Sequence, residues 1–420
     1  MRRLIKNIGC IVGIQPIHLK RLCGKAMAEV HSLNDAWLTI RDGRIEAFGP
    51  MSEPPKDEHF DEETDAYGGY LLPAFCDSHT HIVFAGSREA EYVDKIRGLS
   101  YAEIARRGGG ILNSADLLHQ TSEDELYRQA MLRVEEIRSK GTGCVEIKSG
   151  YGLTTADELK MLRVIQRIKD TSDLKVVSTF LGAHAVGRAY QGRQSEYVNL
   201  LINEMIPAVA GEHLADFIDV FCDEGFFTVD ETDRLLDAGY KYGLRPKIHA
   251  EELAASGGVA VAVKHNALSV DHLESMPDES MALLKQSATM PTLLPGTSFF
   301  LNMPYGRGRR MIDEGLPIAL ASDYNPGSTP SGDMKFIMSL ACIKMRLLPE
   351  EAFNAATLNG AAAMGLSDEY GSIAVGKADT HHADTVACIS VVCLHIASDT
   401  GNDIVERINP NMPDSRVATY

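Results

Sequence analysis

The sequence CVEIKSGYGLTTADELKMLRVIQRI occupies residues 144–168 and contains the pattern from which the fold is predicted. It opens with a short apolar run, Cys144–Ile147, and continues into a helical stretch that starts with the capping-box pattern Thr155-x-x-Glu158. The apolar face of this predicted helix carries Leu159, Leu162, Ile165 and Ile168. A short apolar strand followed by an amphipathic helix is the βα unit from which parallel sheets are built.

The same alternation recurs along the chain from residue 70 onward. Another helix is predicted to begin at Ser122-x-x-Glu125 and to end at Gly141, with Leu126, Ala130, Val134 and Ile137 on one face. The predicted strands are Tyr70–Cys76, Cys144–Ile147, Val176–Leu181, Phe217–Cys222, Pro246–Ile248, Leu268–Val270, Thr289–Leu294 and Ile318–Ala321. Eight such runs over roughly 250 residues favour an α/β fold of the (β/α)8 TIM-barrel type, with an open doubly wound sheet as the alternative.

The composition restricts the compartment and the partners. The 420 residues carry 41 basic and 58 acidic side chains, and this net charge of −17 disfavours nucleic acid and anionic membranes as partners. A small anionic substrate is still allowed, because one buried arginine can hold it. No apolar run approaches the roughly 20 residues of a membrane span, and we expect no secretory signal. The eight cysteines contain no CxxC pair and predict reduced thiols in a cytoplasmic protein.

Unusual polar residues follow the predicted strands, where a barrel places its catalytic groups. They are His79, His81, Lys148, His184, Asp223, His249, His272 and Asp323. In extended chain, residues i and i+2 point to the same side, so His79 and His81 can reach one metal ion. His249, His272 and Asp323 each end a short apolar run, although a single histidine there is more often structural. Three imidazoles and one carboxylate suit Zn²⁺ or Fe²⁺.

The order of these motifs resembles the amidohydrolase superfamily and, more narrowly, the imidazolonepropionase family. The resemblance is carried by PAFCDSHTHIVFAGSRE (73–89), EIKSGYGL (146–153), FLGAH (180–184), DVFCDEGFF (219–227), IHAEEL (248–253), VDHLE (270–274) and ASDYNPGS (321–328). The HxH pair and the aspartate are shared across the superfamily, whereas the longer motifs are specific to the family. The resemblance implies a metal-dependent hydrolase with one divalent ion per chain.

The resemblance also implies roles for individual residues. The implied metal ligands are His79, His81, His249 and Asp323. The implied substrate contacts are Arg88, Tyr101, Tyr151, His184, Glu252, Asn325, Gly327 and Ser328. The implied catalytic residues are His272, Asp323 and Glu252. Lys148 follows the second predicted strand and is interpreted as structural, which leaves a mononuclear site.

The implied reaction is hydrolysis of 4-imidazolone-5-propanoate to N-formimidoyl-L-glutamate, a step of histidine degradation, by a water that the cation activates. We expect His272 to polarise the carbonyl oxygen, and either Asp323 or Glu252 to move the proton. The planar guanidinium of Arg88 matches the substrate carboxylate. The alternative for Arg88 is a surface arginine paired with Glu89 or Glu91.

The resemblance further implies a small β-sandwich domain built from both chain termini. The pattern of residues 1–69 predicts β structure, with Asp42-Gly43 as a hairpin signal, and Gly371–Lys377 fits the first returning piece. We therefore predict domains at 1–69 with 371–420, and a barrel at 70–370. After Asp379 the resemblance stops, and only Val386–Leu394 could form a strand there. The oligomeric state stays open, with a homodimer as the candidate assembly.

Two other functions compete with this prediction. One is a deaminase or lactamase-type enzyme on the same scaffold, against which Arg88 and Tyr151 argue. The other is a metal-binding protein without turnover, favoured by the atypical C-terminal sequence.

Overall fold

The N-terminal strands form a five-stranded sheet that precedes the barrel. The computed structural model describes residues 1–55, 59–99, 103 and 109–379. The strands of this sheet are β1 (Arg2–Ile14), β2 (His31–Arg41), β3 (Arg44–Pro50), β4 (Glu62–Asp65) and β5 (Tyr70–Leu71). They run in the order β3-β2-β1-β4. β4 pairs with the first half of β1, and β5 pairs with a later part of the same strand. The predicted hairpin is confirmed, because Asp42 and Gly43 take the positive φ angles, 49° and 74°, of a tight turn.

The chain returns to this sheet after the barrel. Ile373 bridges Ile14 and lies in the same apolar cluster as Ile8, Ile11 and Leu38. A second bridge joins Arg44 to Ala378. The predicted composite domain and its boundaries stay a prediction, because residues 380–420 lie outside the described residues.

The eight barrel strands are parallel and pair in sequence order. They are β6 (Phe75–Thr80), β7 (Thr142–Lys148), β8 (Lys175–Ala183), β9 (Phe217–Cys222), β10 (Arg245–Ala250), β11 (Ser269–His272), β12 (Met290–Leu293) and β13 (Ala319–Leu320). The first and last strands meet beyond β13, where Asp323 N donates to His79 O at 3.0 Å and His81 N donates to Tyr324 O at 2.9 Å. The barrel is therefore confirmed, and the open sheet is excluded. The predicted run Tyr70–Cys76 is wrong as one strand, because it is divided between β5 and β6.

Helices follow the barrel strands and cover their outer side. Their bounds are α1 (Glu89–Ile96), α2 (Ile111–Gln120), α3 (Glu123–Ser139), α4 (Thr155–Thr171), α5 (Gln194–Leu200), α6 (Ile206–Gly211), α7 (Val229–Lys241), α8 (Gly258–Lys264), α9 (Asp278–Lys285), α10 (Pro295–Leu301), α11 (Gly308–Asp313), α12 (Met334–Met345), α13 (Pro349–Ala356) and α14 (Leu358–Ala363). No helix in the described part of the chain combines the length and apolar composition that a bilayer span requires.

The two helices predicted in detail differ at their first turns. In α3, Ser122 caps the helix as predicted, and all four residues of the predicted apolar face are buried. In α4, the predicted cap at Thr155 is wrong by one residue, because the Thr154 side chain accepts from Asp157 N at 3.1 Å. Glu158 therefore takes no part in capping, and its carboxylate turns toward the end of β7.

Asn359 connects the N-terminal segment, through Leu22, to Ile318 just before the last barrel strand. Its fully buried side chain accepts from Leu22 N at 2.8 Å and donates to Leu22 O at 3.0 Å and Ile318 O at 2.8 Å. Three buried backbone groups therefore depend on one amide side chain.

We expect Asn359→Ala to lower the free energy of unfolding by about 3 kcal/mol, because it leaves these backbone groups buried without partners. Chemical denaturation followed by circular dichroism measures the change. The control is Asn199→Ala, since the exposed Asn199 accepts one bond from Arg234, and its loss should change stability by less than about 0.5 kcal/mol. Equal losses in both variants would contradict the prediction.

Candidate metal centre and active site

A cavity of about 700 Å³ opens at the carboxyl ends of the barrel strands. Its lining includes most of the residues predicted from the sequence: His81, Arg88, Tyr151, His184, His249, Glu252, His272, Asp323, Asn325, Gly327 and Ser328. His79 is fully buried beneath the cavity, next to His81. Tyr101 lies outside the described residues. Because the barrel strands are parallel, their carboxyl ends bring residues from 79 to 328 together around this cavity.

Three histidines form a cluster at the base of the cavity. The ligand nitrogens of His79, His81 and His249 all lie within 4.8 Å of one another. The Nε2 atoms of His79 and His81 are 3.3 Å apart. His79 comes from β6, His81 follows that strand, and His249 comes from β10, so three rigid backbone positions determine the geometry.

Asp323 adds a carboxylate to this cluster. Its Oδ1 lies 3.6 Å from the Nε2 atoms of both His79 and His81. Its Oδ2 accepts hydrogen bonds from Thr297 at 2.6 Å and from Ser328 at 3.0 Å. Because the two hydroxyls hold one oxygen, the other faces the histidines. Asp323 takes a φ of 54°, an uncommon angle for a non-glycine residue, and such residues concentrate at functional sites.

Buried carboxylates on the neighbouring strands lie against two of the histidines. Asp271 Oδ2 accepts from His79 Nδ1 at 2.7 Å, and Asp219 Oδ2 lies 2.9 Å from His249 Nδ1. Lys148 Nζ lies between them and donates to Asp219 Oδ2 at 2.8 Å and Glu146 Oε1 at 2.7 Å. The hydrogen bond to Asp271 places the Nδ1 proton of His79 toward the carboxylate, so the Nε2 lone pair of His79 faces the cluster centre. His249 Nδ1 is within ion-pair distance of Asp219 but makes no hydrogen bond to it.

The electrostatics of the cluster favour neutral imidazoles. Burial, followed by the nearby Lys148 charge, lowers the pKa of His79 well below its ordinary value. Burial and the neighbouring histidines do the same to the pKa values of His81 and His249. Neutral imidazole is the form that binds a metal.

The donor set fits a divalent cation. Both ring nitrogens of His249 are buried and have no hydrogen-bond partner among the described residues, and Nε2 is the one that is not against Asp219. An orphaned, inward-facing imidazole nitrogen beside two others and a carboxylate is what a tetrahedral or five-coordinate metal site requires. Lys148 donates to Glu146 and Asp219, and its structural role stays a prediction.

His272 and Glu252 form the adjacent wall of the cavity. His272 Nδ1 lies 3.5 Å from Glu252 Oε2 and 3.6 Å from Glu274 Oε2. Burial works against the charged imidazolium, but the two carboxylates raise the pKa of His272 above its ordinary value. Asp223 positions Glu252, since it accepts from the backbone N–H groups of residues 252–254.

Arg88 lines the same cavity and is 8% exposed. Its Nε and Nη2 donate to Glu91 Oε2 at 2.9 and 2.6 Å. Arg88 is therefore paired with Glu91, as the alternative interpretation predicted, but it is buried and not a surface arginine. A Cβ at Gly327 would lie 2.2 Å from Arg88 Nη1, which means that the glycine makes room for the guanidinium. Asn325 Oδ1 holds this loop by accepting from Gly327 N and Ser328 N.

Several residues of the site were missed from the sequence. Lys95 donates to Gly327 O at the cavity rim, and Phe221, Phe226, Phe299 and Phe300 supply apolar walls. Asp219 had a usable signal, because a carboxylate in the middle of the apolar run FIDVFC needs a partner when buried. The four phenylalanines had no such signal in the sequence, since a phenylalanine near the end of a strand usually packs in the hydrophobic core.

Comparisons with known proteins agree with this geometry. The family model described as "Amidohydrolase family" matches residues 238–392. An imidazolonepropionase of Flavobacterium psychrophilum is 53% identical over 377 residues, which cover 90% of this chain and 92% of the relative. Another, from Caldanaerobacter subterraneus subsp. tengcongensis, is 43% identical over 89% of both chains.

The solved structures that resemble this chain support its fold alone, because their sequences are distant. A 5-methylcytosine deaminase from Klebsiella pneumoniae has a TM-score of 0.66 at 17% identity, over 88% of this chain and 90% of that one. A guanine deaminase from C. acetobutylicum has a TM-score of 0.63 at 15% identity, over 90% and 89%. At 53% identity over nearly the whole length of its relatives, this chain belongs to the imidazolonepropionase family of amidohydrolases.

Proposed function

We infer that this chain hydrolyses 4-imidazolone-5-propanoate to N-formimidoyl-L-glutamate, a step of histidine degradation. The observation that carries the inference is one cavity that joins a buried histidine–aspartate cluster to a buried arginine. The cluster suits the hydrolysis of a ring C–N bond, and the arginine suits the free carboxylate of the substrate. The relatives that are 53% and 43% identical to this chain are named imidazolonepropionases, after this activity.

We propose His79, His81, His249 and Asp323 as the ligands of one cation, Zn²⁺ or Fe²⁺. Imidazole nitrogens and one carboxylate oxygen suit both ions. A cation held there supplies Lewis acidity and lowers the pKa of water to about 7, so that hydroxide is available at neutral pH.

The substrate is oriented by its carboxylate. Arg88 offers a rigid, always charged fork, and Glu91 holds it by two hydrogen bonds through Nε and Nη2. Tyr151, His184 and Ser328 line the same cavity as Arg88 and the histidine cluster, and we assign them contacts with the ring. Asn325 and Gly327 shape the loop that carries Ser328. Tyr101 stays a predicted contact.

Proton transfer is assigned to the groups beside the cluster. His272, held between two carboxylates that raise its pKa, donates to the carbonyl oxygen as negative charge develops there. Asp323 Oδ1 faces the histidines and is proposed to take the proton of water and pass it to the leaving nitrogen. Glu252, whose pKa is raised by burial, is the alternative carrier.

The cellular setting is also a proposal. Cys10, Cys23, Cys76, Cys144, Cys222 and Cys342, all of them within the described residues, are free thiols. This supports a cytoplasmic enzyme, since reduced cysteines persist there. The proposed partner is a small anionic molecule, with no nucleic acid or membrane surface, and a homodimer is the proposed assembly.

The decisive experiment follows the absorbance of imidazolonepropanoate with the purified protein, before and after treatment with a chelator. We expect loss of absorbance, formation of N-formimidoyl-L-glutamate, abolition by the chelator and recovery on adding Zn²⁺ or Fe²⁺. Ammonia release from aminated rings without ring opening would instead identify a deaminase. Metal retention without any turnover would identify a metal-binding protein.

We expect Arg88→Lys to raise KM for the propanoate substrate about tenfold, because a point charge replaces a bidentate fork and the bonds to Glu91 are lost. Steady-state kinetics measures the change. Arg138→Lys is the matched control, since Arg138 makes the same three-residue-spaced pair with Glu135 on the outer surface. Unchanged KM for Arg88→Lys would refute the assigned role.

We expect Asp271→Ala to weaken metal affinity about 10- to 100-fold, because His79 loses the acceptor that orients its ring. Competition with a chromophoric chelator measures the affinity. Asp233→Ala removes a similar contact, 2.7 Å from His265 and distant from the cluster, and should leave the affinity unchanged. Full retention of metal affinity in Asp271→Ala would count against the proposed centre.

A further inference from the structure

Glu158 is a buried carboxylate to which the proposed reaction assigns no role. It lies in the first turn of α4, is fully buried, and has no cationic partner within ion-pair distance among the described residues. Its Oε1 accepts from Gly152 N at 2.8 Å and Leu153 N at 2.9 Å, and its Oε2 accepts from Gly150 N at 3.2 Å. Burying a carboxylate that has only neutral donors as partners costs free energy of folding. We therefore expect Glu158 to have a role other than stabilising the fold.

The donors belong to the segment 149–153, which we call the glycine loop. Gly150 uses both of its backbone groups, since its N–H donates to Glu158 and its carbonyl lies 3.0 Å from His184 Nδ1. A carbonyl only accepts hydrogen bonds, so Nδ1 of His184 carries the proton in this contact. The other ring nitrogen, Nε2, is then an acceptor at the wall of the cavity.

The two glycines allow the loop to lie this close to both anchors. A Cβ at Gly150, whose φ is 109°, would be 2.9 Å from His184 Nδ1. A Cβ at Gly152 would be 2.4 Å from the backbone nitrogen of Glu158. Tyr151 stands between them, is 2% exposed, and has its ring centroid 5.4 Å from that of His184.

We propose that Glu158 is a positioning residue for substrate binding: it holds the glycine loop so that Tyr151 and the Nε2 acceptor of His184 face the substrate ring. The chain of contacts runs from Glu158 to the Gly150 backbone, and from there to the His184 imidazole. An acceptor at this place suits a ring N–H of the substrate. The inference rests on the proposed function for the identity of the substrate, but the loop geometry stands independently of it.

The helix leaves Glu158 available for this task. Thr154 caps α4 through Asp157 N, so the carboxylate of the following residue is not needed for the helix end. Asp157 has a different set of partners, with His119 Nδ1 at 2.8 Å and Lys160 Nζ at 2.9 Å. Two neighbouring carboxylates in one turn thus have separate contacts, which provides a matched pair of variants.

The test compares Glu158→Gln with Asp157→Asn in the full-length, metal-loaded protein. The side-chain amide introduced by Glu158→Gln would replace one acceptor by a donor that faces backbone N–H groups. We expect a rise in KM for imidazolonepropanoate of about tenfold with a smaller change in kcat, and unchanged metal content. Hydrogen exchange measured by mass spectrometry should be faster in peptides that cover 149–153. Asp157→Asn should change neither KM nor this exchange.

The outcomes separate the inference from the proposed function. Wild-type KM and exchange in Glu158→Gln, or equal changes in Asp157→Asn, would overturn the positioning role. If Glu158→Gln does not fold, exchange in the wild-type protein decides, because fast exchange of the amides at 150, 152 and 153 would also overturn it. A wild-type protein that leaves imidazolonepropanoate intact refutes the proposed function, and the exchange comparison still tests the loop.

Discussion

A buried lysine holds together the acidic groups on which the whole site depends. Lys148 Nζ contacts Glu146 and Asp219 and lies 3.5 Å from Asp271, and all of these side chains are fully buried. Lys247 adds a second ammonium by donating to Glu146. Without these cations, three carboxylates would be buried in one barrel with no opposite charge beside them. With them, Asp271 lies where it accepts from His79, and Asp219 lies beside His249.

The fold was predictable because its signals are local and repeated. The periodicity of α3 predicted its buried face in full, and each of the eight apolar runs contains or overlaps a barrel strand. The sequence predictions were wrong where one residue pattern is compatible with two local structures. Thr154 and Thr155 can both cap a helix, and only the backbone geometry selects the first. Pro73 interrupts the run Tyr70–Cys76, and its two ends join different sheets.

The candidate site was predictable only in part, for a different reason. Histidines and aspartates at strand ends are rare enough to be noticed, and the family motifs identify those that face the cavity. Residues that support them are harder to recognise, because a buried acid such as Asp219 or Glu158 is defined by partners distant in sequence. The net charge of the whole chain does not describe the cavity, as the sequence analysis allowed. A net charge of −17 coexists with a cavity that presents Arg88 and Lys95, since local charge governs binding within a few ångströms.

The seam of the barrel lies within the proposed metal centre. The backbone bonds that join the first strand to the last involve His79, His81 and Asp323, which are also proposed as ligands. During synthesis on the ribosome, the histidine pair emerges early and the aspartate late. The complete set of proposed ligands therefore exists only after most of the chain has been made, so coordination of a cation by all four of them would report that the barrel has closed.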